Sequence, residues 1–279
     1  MKGLYLPYIK WSLLFLVLHN SFRYIHFTES VIYQKEDYIR QFIKMIAMTD
    51  YELLIRPFWF IKELLWASLI VATISFLNSH LSTKKLFELY FILAFVASVI
   101  SKFFPFIPLI GDSSILCFGI LYYYTGILFY KYKPYIPLTY TTMIISFIII
   151  SIGSFLFDGV VDMRFTTVYN QIPYYILSIA GIIMLLCVSK KLENCKNLSL
   201  FYYIGNHTMP ILALNLLSLK LGNLIKVWIY ALPIEFLSSY TVIFDYNLWF
   251  WLVYTIIGVA VPLLVHFLYI KSENILFSH

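Results

Sequence analysis

Eight long apolar segments recur along the 279-residue chain, and no other feature constrains its fold as strongly. A helix needs about 20 consecutive apolar residues to cross the hydrocarbon core of a bilayer, and each segment approaches that length. Inside lipid, every backbone polar group must find a partner within the protein, which favours helices. The predicted spans cover residues 5–25, 57–77, 86–104, 112–130, 138–157, 172–189, 206–224 and 247–270. The sequence therefore predicts an all-α fold, a polytopic transmembrane helix bundle with about eight spans.

The small share of charged residues supports this class of protein. Charged residues make up 12% of the chain and hydrophobic residues 61%, whereas soluble domains carry about 25% charged residues. The net charge of +6 comes from basic residues scattered over short loops, so we expect the lipid bilayer and no nucleic acid as a partner. The three cysteines show no metal-ligand spacing, and no metal is expected.

One polar segment, residues 28–56, interrupts the apolar pattern between the first two spans. We expect it to lie outside the membrane, within a single integral-membrane domain that covers residues 1–279. Its apolar residues recur at helical spacing, namely Ile39, Phe42, Ile43 and Ile46. This spacing predicts an amphipathic helix that lies on the membrane surface.

The short loops carry basic residues unequally, which predicts the orientation of the chain. The connections on one side contain Lys84, Lys85, Lys131, Lys133, Lys190, Lys191 and Lys196. The short connections on the other side contain only Lys102 and Arg164 as basic residues. Because positively charged loops stay in the cytoplasm, we expect both termini there and the chain in the inner (cytoplasmic) membrane.

The stretch from Arg56 to Trp66 places two charged side chains, Lys62 and Glu63, one to two turns inside the second span. An ionisable side chain at the centre of a membrane helix costs roughly 2.5–3.5 kcal/mol, so it usually faces the protein interior or a water-filled cavity. Helical spacing brings Trp59, Trp66 and Ile70 to the same side of the helix. His19 ends the first span, and on this topology we expect it to face this stretch near the outer surface.

A second informative stretch runs from Leu200 to Leu217. Asn206 and Thr208 are good N-caps for a helix that begins here. The free N–H groups at such a helix start suit a phosphate or a carboxylate, although an ordinary capped helix start would have the same sequence. His207 lies at this start, and Asn215 is a polar residue two turns further in that needs a partner or makes a helix–helix contact.

Three short motifs occur at residues 6–11 (Leu-Pro-Tyr-Ile-Lys-Trp), 58–65 (Phe-Trp-Phe-Ile-Lys-Glu-Leu-Leu) and 203–211 (Tyr-Ile-Gly-Asn-His-Thr-Met-Pro-Ile). In this order they resemble three motifs of the membrane acyltransferase-3 family, the O-acetylases of surface polysaccharides. Those motifs are Leu-x-Pro-Tyr-x-x-Trp, Pro-Leu-Trp-Phe-Leu-Arg-x-Leu and Tyr-Ile-Gly-Lys-Asn-Ser-x-x-Ile. The order and spacing agree over nearly the whole chain, and the similarity is closest to fucose 4-O-acetylase-like members.

The resemblance also implies differences from the family. The first motif resembles the start of the family's third helix, so we expect this chain to lack the first two helices, with a separate chain to supply them. In the family, the first helix carries an Arg and a His that the chemistry requires. Lys62 stands in place of a further family Arg, and Asn215 in place of a late His. The usual catalytic His of the family is therefore not found in this chain.

From the resemblance we expect a membrane-bound O-acyltransferase, a transferase of groups other than amino-acyl groups. It implies acetyl-CoA as the donor and a cell-surface or lipid-linked saccharide as the acceptor, so that O-acetylation modifies a polysaccharide. Such chemistry needs a general base near the acceptor hydroxyl and a donor that stabilises the oxyanion. The expected bases are His19 and Glu63, and the expected oxyanion donor is Lys62. The expected substrate-binding residues are Trp59, Trp66, Asn206, His207 and Asn215.

Two alternatives stay open at this point. A non-catalytic relative would bind or transport a saccharide or a lipid, with Tyr and Trp rings around the sugar and Lys62 against a phosphate. A degenerate fragment of the family would have no activity. Genomic DNA upstream of Met1 that encodes two further spans would favour the enzyme.

Overall fold

The structure, a computed structural model, describes residues 2–49, 53–100, 106–107, 111–157, 171–193, 195, 198–239, 241–243 and 249–276. Within these ranges, eight helices contain 17 to 27 residues, and each overlaps one predicted span. They are α1 (Lys2–Tyr24), α3 (Trp59–Leu77), α4 (Thr83–Ile100), α5 (Ser113–Tyr132), α6 (Tyr140–Leu156), α7 (Gln171–Leu192), α9 (Thr208–Tyr230) and α11 (Phe250–Leu276). The predicted all-α helix bundle is confirmed.

The remaining elements are short. The shorter α-helices are α2 (Lys35–Ile46), α8 (Ser199–Asn206) and α10 (Glu235–Ser239). Two 3-10 helices cover Leu53–Phe58 and Lys133–Tyr135. Before α5, strand β1 (Phe106–Ile107) pairs antiparallel with β2 (Gly111–Asp112) over two residues each.

Four helical segments are long and apolar enough to cross a membrane, by length and composition. Within the described part of the chain they are Leu54–Leu77, Ile172–Leu192, Thr208–Tyr230 and Phe250–Lys271, and Tyr140–Leu156 is a shorter apolar helix. Large apolar side chains such as Trp228 and Ile256 are exposed on these segments, as contact with lipid requires. The chain is an integral membrane protein, as its composition predicted.

The first of two compact units contains Met1–Lys62 and Ser199–His279. Within it, hydrogen bonds join α1 and the segment after it to later parts of the chain. Lys10 donates a hydrogen bond to the hydroxyl of Tyr269, near the end of α11 (3.3 Å). Ser238, which follows α9, donates to the carboxylate of Glu29, which follows α1 (3.3 Å). Helix α1 therefore runs antiparallel to α11 and parallel to α9.

In the same unit, α2 folds back along α1. Near the start of α2, the Asn20 side chain accepts from the N–H of Tyr33 (2.9 Å) and donates to the Tyr33 carbonyl (3.1 Å). At the other end, the Tyr5 hydroxyl donates to the carbonyl of Ile46 (3.1 Å). These bonds join opposite ends of the two helices, so α1 and α2 form an antiparallel hairpin.

Helix α2 is amphipathic, as the spacing of its apolar residues predicted. Met45 is buried against the unit, whereas Ile39 and Ile43 are 53% and 61% exposed. The charged side chains Glu36, Arg40 and Lys44 are also exposed, and they occupy successive turns of the helix. The helix therefore presents a buried face, an exposed apolar stripe and a charged ridge.

The second unit contains Glu63–Leu198, that is, most of α3 and all of α4 to α7. Where α4 meets α5, the ring centroid of Tyr90 lies 4.4 Å from that of Tyr124. The Tyr90 hydroxyl donates to the carbonyl of Val71 on α3 (3.0 Å), which joins three helices around one buried ring. Helix α6 packs against α7 at Gly153, where a Cβ atom would overlap the side chain of Leu177.

Replacing Asn20 with Ala should destabilise the first unit. The N–H and carbonyl of Tyr33 would lose their side-chain partner, at a cost of about 1–3 kcal/mol. For a chain of this size, each kcal/mol lowers the melting temperature by about 2–4 °C, which a thermal scan of detergent-solubilised protein measures. Ser21→Ala, at the exposed neighbouring position, is the matched control and should leave Tm unchanged. Equal Tm values for both variants would contradict the role of Asn20 in the hairpin.

Candidate functional site

The junction between α8 and α9 brings a histidine to the start of a long membrane helix. Helix α8 continues through Asn206, and α9 begins at Thr208. His207 separates them with φ −115° and ψ 30°, which makes it the N-cap residue of α9. The prediction that Asn206 and Thr208 cap this helix is wrong, because α8 extends further than the sequence suggested and both residues lie inside helices.

His207 is held in one tautomer. Its Nδ1 lies 2.7 Å from the main-chain carbonyl oxygen of Tyr203, one turn earlier in α8. Because a carbonyl only accepts, Nδ1 carries the proton, and Nε2 keeps a lone pair in the neutral ring. No hydrogen bond to Nε2 is found among the residues that the structure describes. The ring is half-buried, so Nε2 can accept a proton from a bound hydroxyl group.

Two basic side chains from distant parts of the sequence lie near His207. The ring centroid of His266, on α11, is 5.2 Å from that of His207. Lys10, on α1, acts electrostatically on His266 and bonds Tyr269, one turn further along α11. The lysine ammonium also lies 4.8 Å from the centre of the Tyr269 ring. Tyr203, His207, His266, Tyr269 and Lys10 are named the His207 cluster below.

The His207 cluster combines a base with positive potential. The lone pair on Nε2 of His207 can take a proton, while Lys10 and the positive end of α9 favour an anion nearby. Of these residues, the sequence predicted only His207, as a substrate-binding residue. His266 and Lys10 were missed, although ionisable residues inside apolar segments are themselves a sign of function. No group of three metal-ligating side chains occurs in the part of the chain that the structure describes.

Lys62 and Glu63, the two charged residues inside the second predicted span, are buried, as their helical spacing predicted. Lys62 is 6% exposed and Glu63 is 4% exposed, and Trp59 and Trp66 are half-buried. Each of Lys62, Glu63 and Trp66 takes part in an interaction with another residue, so burial leaves none of them without a partner. Lys62 is the last residue of the first unit and Glu63 begins the second.

His19 is 3% exposed, and it contacts the segment that follows α1. Its ring stacks on Tyr33, with centroids 3.5 Å apart and an angle of 10° between the planes. Its Nε2 lies 3.1 Å from both the Val31 carbonyl oxygen and the Ser30 hydroxyl. These contacts hold the segment that leads from α1 into α2.

One ring contact shows which part of α1 lies beside the start of α3. Phe58, in the 3-10 turn before α3, stacks on Tyr8 with centroids 5.9 Å apart. Tyr8 precedes His19 by eleven residues, which is about 16 Å along a helix. The start of α3 therefore packs at the level of the first half of α1, because the 3-10 turn follows a helix, α2, that has returned along α1.

Asn215 is half-buried where α9 meets α11. A Cβ atom on Gly258 of α11 would lie 3.5 Å from Nδ2 of Asn215, an ordinary contact distance. The position supports the helix–helix contact that the sequence analysis left open for this residue. Its distance along α9 from His207 is eight residues, about 12 Å.

A second polar cluster, which the sequence analysis missed, lies near the end of α9. Its buried side chains are Lys220, Asn223 and Lys226, named the α9 clamp because they bind the main chain of the connector between α9 and α11. Lys220 donates to the carbonyl oxygens of Leu237 and Ser238. The occurrence of two lysines and an asparagine in one apolar helix would have predicted this cluster from the sequence.

Asn223 is the centre of this cluster. Its Oδ1 accepts from the Tyr254 hydroxyl (2.7 Å) and from the N–H of Ile243 (3.3 Å). Its Nδ2 donates to the carbonyl of Thr241 (3.3 Å). Lys226 donates to the carbonyl of Ile243 (2.6 Å) and lies 5.0 Å from the centre of the Phe250 ring.

Gly222 allows α11 to approach the α9 clamp. A Cβ atom at this position would lie 2.7 and 2.8 Å from two ring carbons of Tyr254, closer than real contacts. Any side chain at 222 would therefore push the Tyr254 hydroxyl away from Asn223.

Comparison with known proteins gives one match. The acyltransferase-3 family, described as an acyltransferase domain, matches residues 1–267 of the chain. No curated protein and no solved structure matches it.

Replacing Asn223 with Leu should loosen the connector. The N–H of Ile243 and the Tyr254 hydroxyl would lose an acceptor, at a cost of about 1–3 kcal/mol, which raises the open population about 5- to 150-fold. Limited chymotrypsin digestion, with cleavage after Phe236 or Leu237, measures this population. Tyr254→Phe removes one of the bonds and should have a smaller effect, and Ile225→Leu, at an exposed position of α9, should have none. Unchanged cleavage of Asn223→Leu would show that the lysines alone hold the connector.

Proposed function

The chain belongs to the acyltransferase-3 family and is a membrane acyltransferase, and we propose that it transfers an acetyl group from acetyl-CoA to a saccharide hydroxyl. The acceptor is a cell-surface or lipid-linked saccharide. The observation that carries the assignment of the site is the bond from Nδ1 of His207 to the Tyr203 carbonyl. That bond leaves Nε2 as a proton acceptor on a ring that remains half-buried.

In the proposed reaction His207 is the general base. Nε2 removes the proton of the acceptor hydroxyl as the hydroxyl oxygen attacks the carbonyl carbon of the thioester. The new C–O bond forms, and the tetrahedral intermediate then breaks its C–S bond. The coenzyme A thiolate leaves and takes the proton from the imidazolium ring, which restores neutral His207. The products are an acetyl ester of the saccharide and the free thiol of coenzyme A.

The positive potential near His207 supports acetyl-CoA as the acyl donor. Acetyl-CoA carries phosphates, and Lys10 together with the N–H groups of the first turn of α9 supplies positive potential beside His207. The last turn of α7 contains Lys190 and Lys191 and precedes α8, so the positive-inside rule favours a cytoplasmic position for the His207 cluster. Acetyl-CoA is a cytoplasmic metabolite, and it would meet the cluster from that side.

The base role goes to His207 rather than to the residues first expected to hold it. His19 and Glu63 are 3% and 4% exposed, so a substrate hydroxyl reaches neither of them in this conformation. Nε2 of His19 is already 3.1 Å from two oxygen atoms. Lys62 is 6% exposed and is equally out of reach of a substrate, so the proposed reaction gives it no part.

His207→Gln should lower acetyl transfer about 100-fold or more, because a general base contributes about 10²–10⁴-fold to such a step. The measurement is transfer of labelled acetyl groups from acetyl-CoA to total surface glycan, in membranes that contain the full chain. His207→Asn should be equally inactive, although its side-chain amide can still donate to the Tyr203 carbonyl. Loss of activity in both variants would therefore come from the missing proton acceptor and not from a shift of the junction between α8 and α9.

The matched control is His80→Gln, at an exposed position between α3 and α4. This variant should keep the activity of the unaltered chain at an equal amount of protein in the membrane. Full activity of His207→Gln, together with loss of activity in Lys62→Met, would contradict the role of His207 and locate the chemistry at the buried stretch instead. Absence of transfer by the unaltered chain, with retained glycan binding, would favour the non-catalytic alternative.

A further inference from the structure

One end of the second unit collects lysine side chains from four helices. Helix α4 begins and α5 ends there, and the hydrogen bond from Lys131 to the Thr83 hydroxyl (2.8 Å) joins these two helix ends. Helix α6 begins where α7 ends, because the Lys191 ammonium lies 3.8 Å from the centre of the Tyr140 ring. Residues 133–139 alone connect α5 to α6. The exposed lysines at this end, named the lysine face below, are Lys84, Lys85, Lys131, Lys133, Lys190 and Lys191.

The lysine face lies at the depth of lipid headgroups. The segment Ile172–Leu192 is long and apolar enough to cross a membrane, and Lys190 and Lys191 lie in its last turn. The segment Leu54–Leu77, which is also long enough to cross, ends shortly before α4 begins. Tyrosine side chains are typical of the boundary between hydrocarbon and headgroups. The exposed tyrosines at this end are Tyr130, Tyr132, Tyr135 and Tyr140.

The lysine face carries more positive charge than its own carboxylates can balance. Among the residues that the structure describes there, six lysines accompany two glutamates, Glu88 and Glu193. Lys84 lies 3.9 Å from Glu88, and both side chains are exposed. No hydrogen bond, ion pair or ring contact of the remaining three ammonium groups is found within the described part of the chain. They belong to Lys85, Lys133 and Lys190.

We propose that the lysine face binds the headgroups of anionic phospholipids, with the ammonium groups of Lys85, Lys133 and Lys190 against the phosphates. Lipids surround an integral membrane protein at this depth, and anionic headgroups carry the charge that the face lacks. The contacts of Lys131 with Thr83 and of Lys191 with Tyr140 hold the helix ends beneath the headgroups. The proposal does not depend on acyl transfer, and its test requires none.

The test measures lipid binding to the purified full-length chain in a neutral detergent by native mass spectrometry. The probes are phosphatidylglycerol and phosphatidylcholine with the same acyl chains, so that the two lipids differ in headgroup charge. A basic residue near anionic headgroups strengthens association about fivefold. The unaltered chain should therefore bind its first phosphatidylglycerol at least about tenfold more tightly than phosphatidylcholine. The triple variant Lys85→Gln, Lys133→Gln, Lys190→Gln should bind both lipids with affinities within about twofold of each other.

Two control variants separate the lysine face from the total charge of the chain. Replacing the same three lysines with Arg keeps the charge and should keep the preference for phosphatidylglycerol. Removing equal charge from exposed positions of the first unit should also keep it. That variant carries Lys35→Gln, Arg40→Gln and Arg56→Gln.

Equal binding of both lipids by the unaltered chain would overturn the proposal. The same loss of preference in the variant of the first unit would also overturn it, because total charge would then explain the binding. If the triple variant does not accumulate in the membrane, Lys133→Gln alone repeats the test. It should weaken phosphatidylglycerol binding about fivefold.

A competition experiment separates a lipid from a soluble phosphate ligand. Inorganic phosphate or coenzyme A, each at the concentration of the lipid, should leave phosphatidylglycerol bound to the unaltered chain. Displacement of the lipid by either compound would assign the lysine face to a soluble phosphate and overturn the lipid as its occupant. Because the measurement is lipid binding, failure of the proposed acyl transfer and failure of this proposal are distinguishable.

Discussion

Non-helical backbone inside an apolar bundle must be satisfied by the protein itself, because the hydrocarbon offers no partners. In the first unit, side chains on the long helices meet this requirement. Asn20 on α1 binds both main-chain groups of Tyr33, and Asn223 on α9 binds the N–H of Ile243 and the carbonyl of Thr241. Each connector is thus fixed by polar residues that sequence analysis would otherwise regard as defects in an apolar helix.

The same requirement sets the chemistry of His207. Its N–H is donated to the Tyr203 carbonyl at the end of α8, where the helix can no longer satisfy that oxygen. The bond that completes the helix end therefore also fixes the tautomer of the ring. A single hydrogen bond therefore both satisfies the helix end and leaves a nitrogen that can accept a proton. This arrangement is common for histidine general bases in enzymes.

Much of the architecture could be predicted from the sequence because it depends on local patterns. The eight apolar runs became long helices, and the spacing around Ile39 and Ile43 became the amphipathic α2. The caps at Asn206 and Thr208 were predicted wrongly because helix boundaries depend on how far the preceding helix extends.

The candidate site was less predictable, because its members come from different helices. His207 was identified, but Lys10 and His266 are 197 and 59 residues away from it, which is the difference of their numbers in each case. Spacing along a sequence indicates which residues share a face of one helix, and it does not indicate which helix comes next to it. The antiparallel course of α2 along α1 was missed for the same reason.

The bond between Lys10 and Tyr269 joins residues 259 positions apart, so it bears on the order in which the chain matures. During synthesis, Lys10 cannot form this bond until the 259 residues that lead to Tyr269 have been made. The second unit, by contrast, is one continuous segment, Glu63–Leu198. All of its residues have therefore been synthesised before α8 is made. The second unit can therefore fold early, whereas the first unit closes only once α11 has been synthesised.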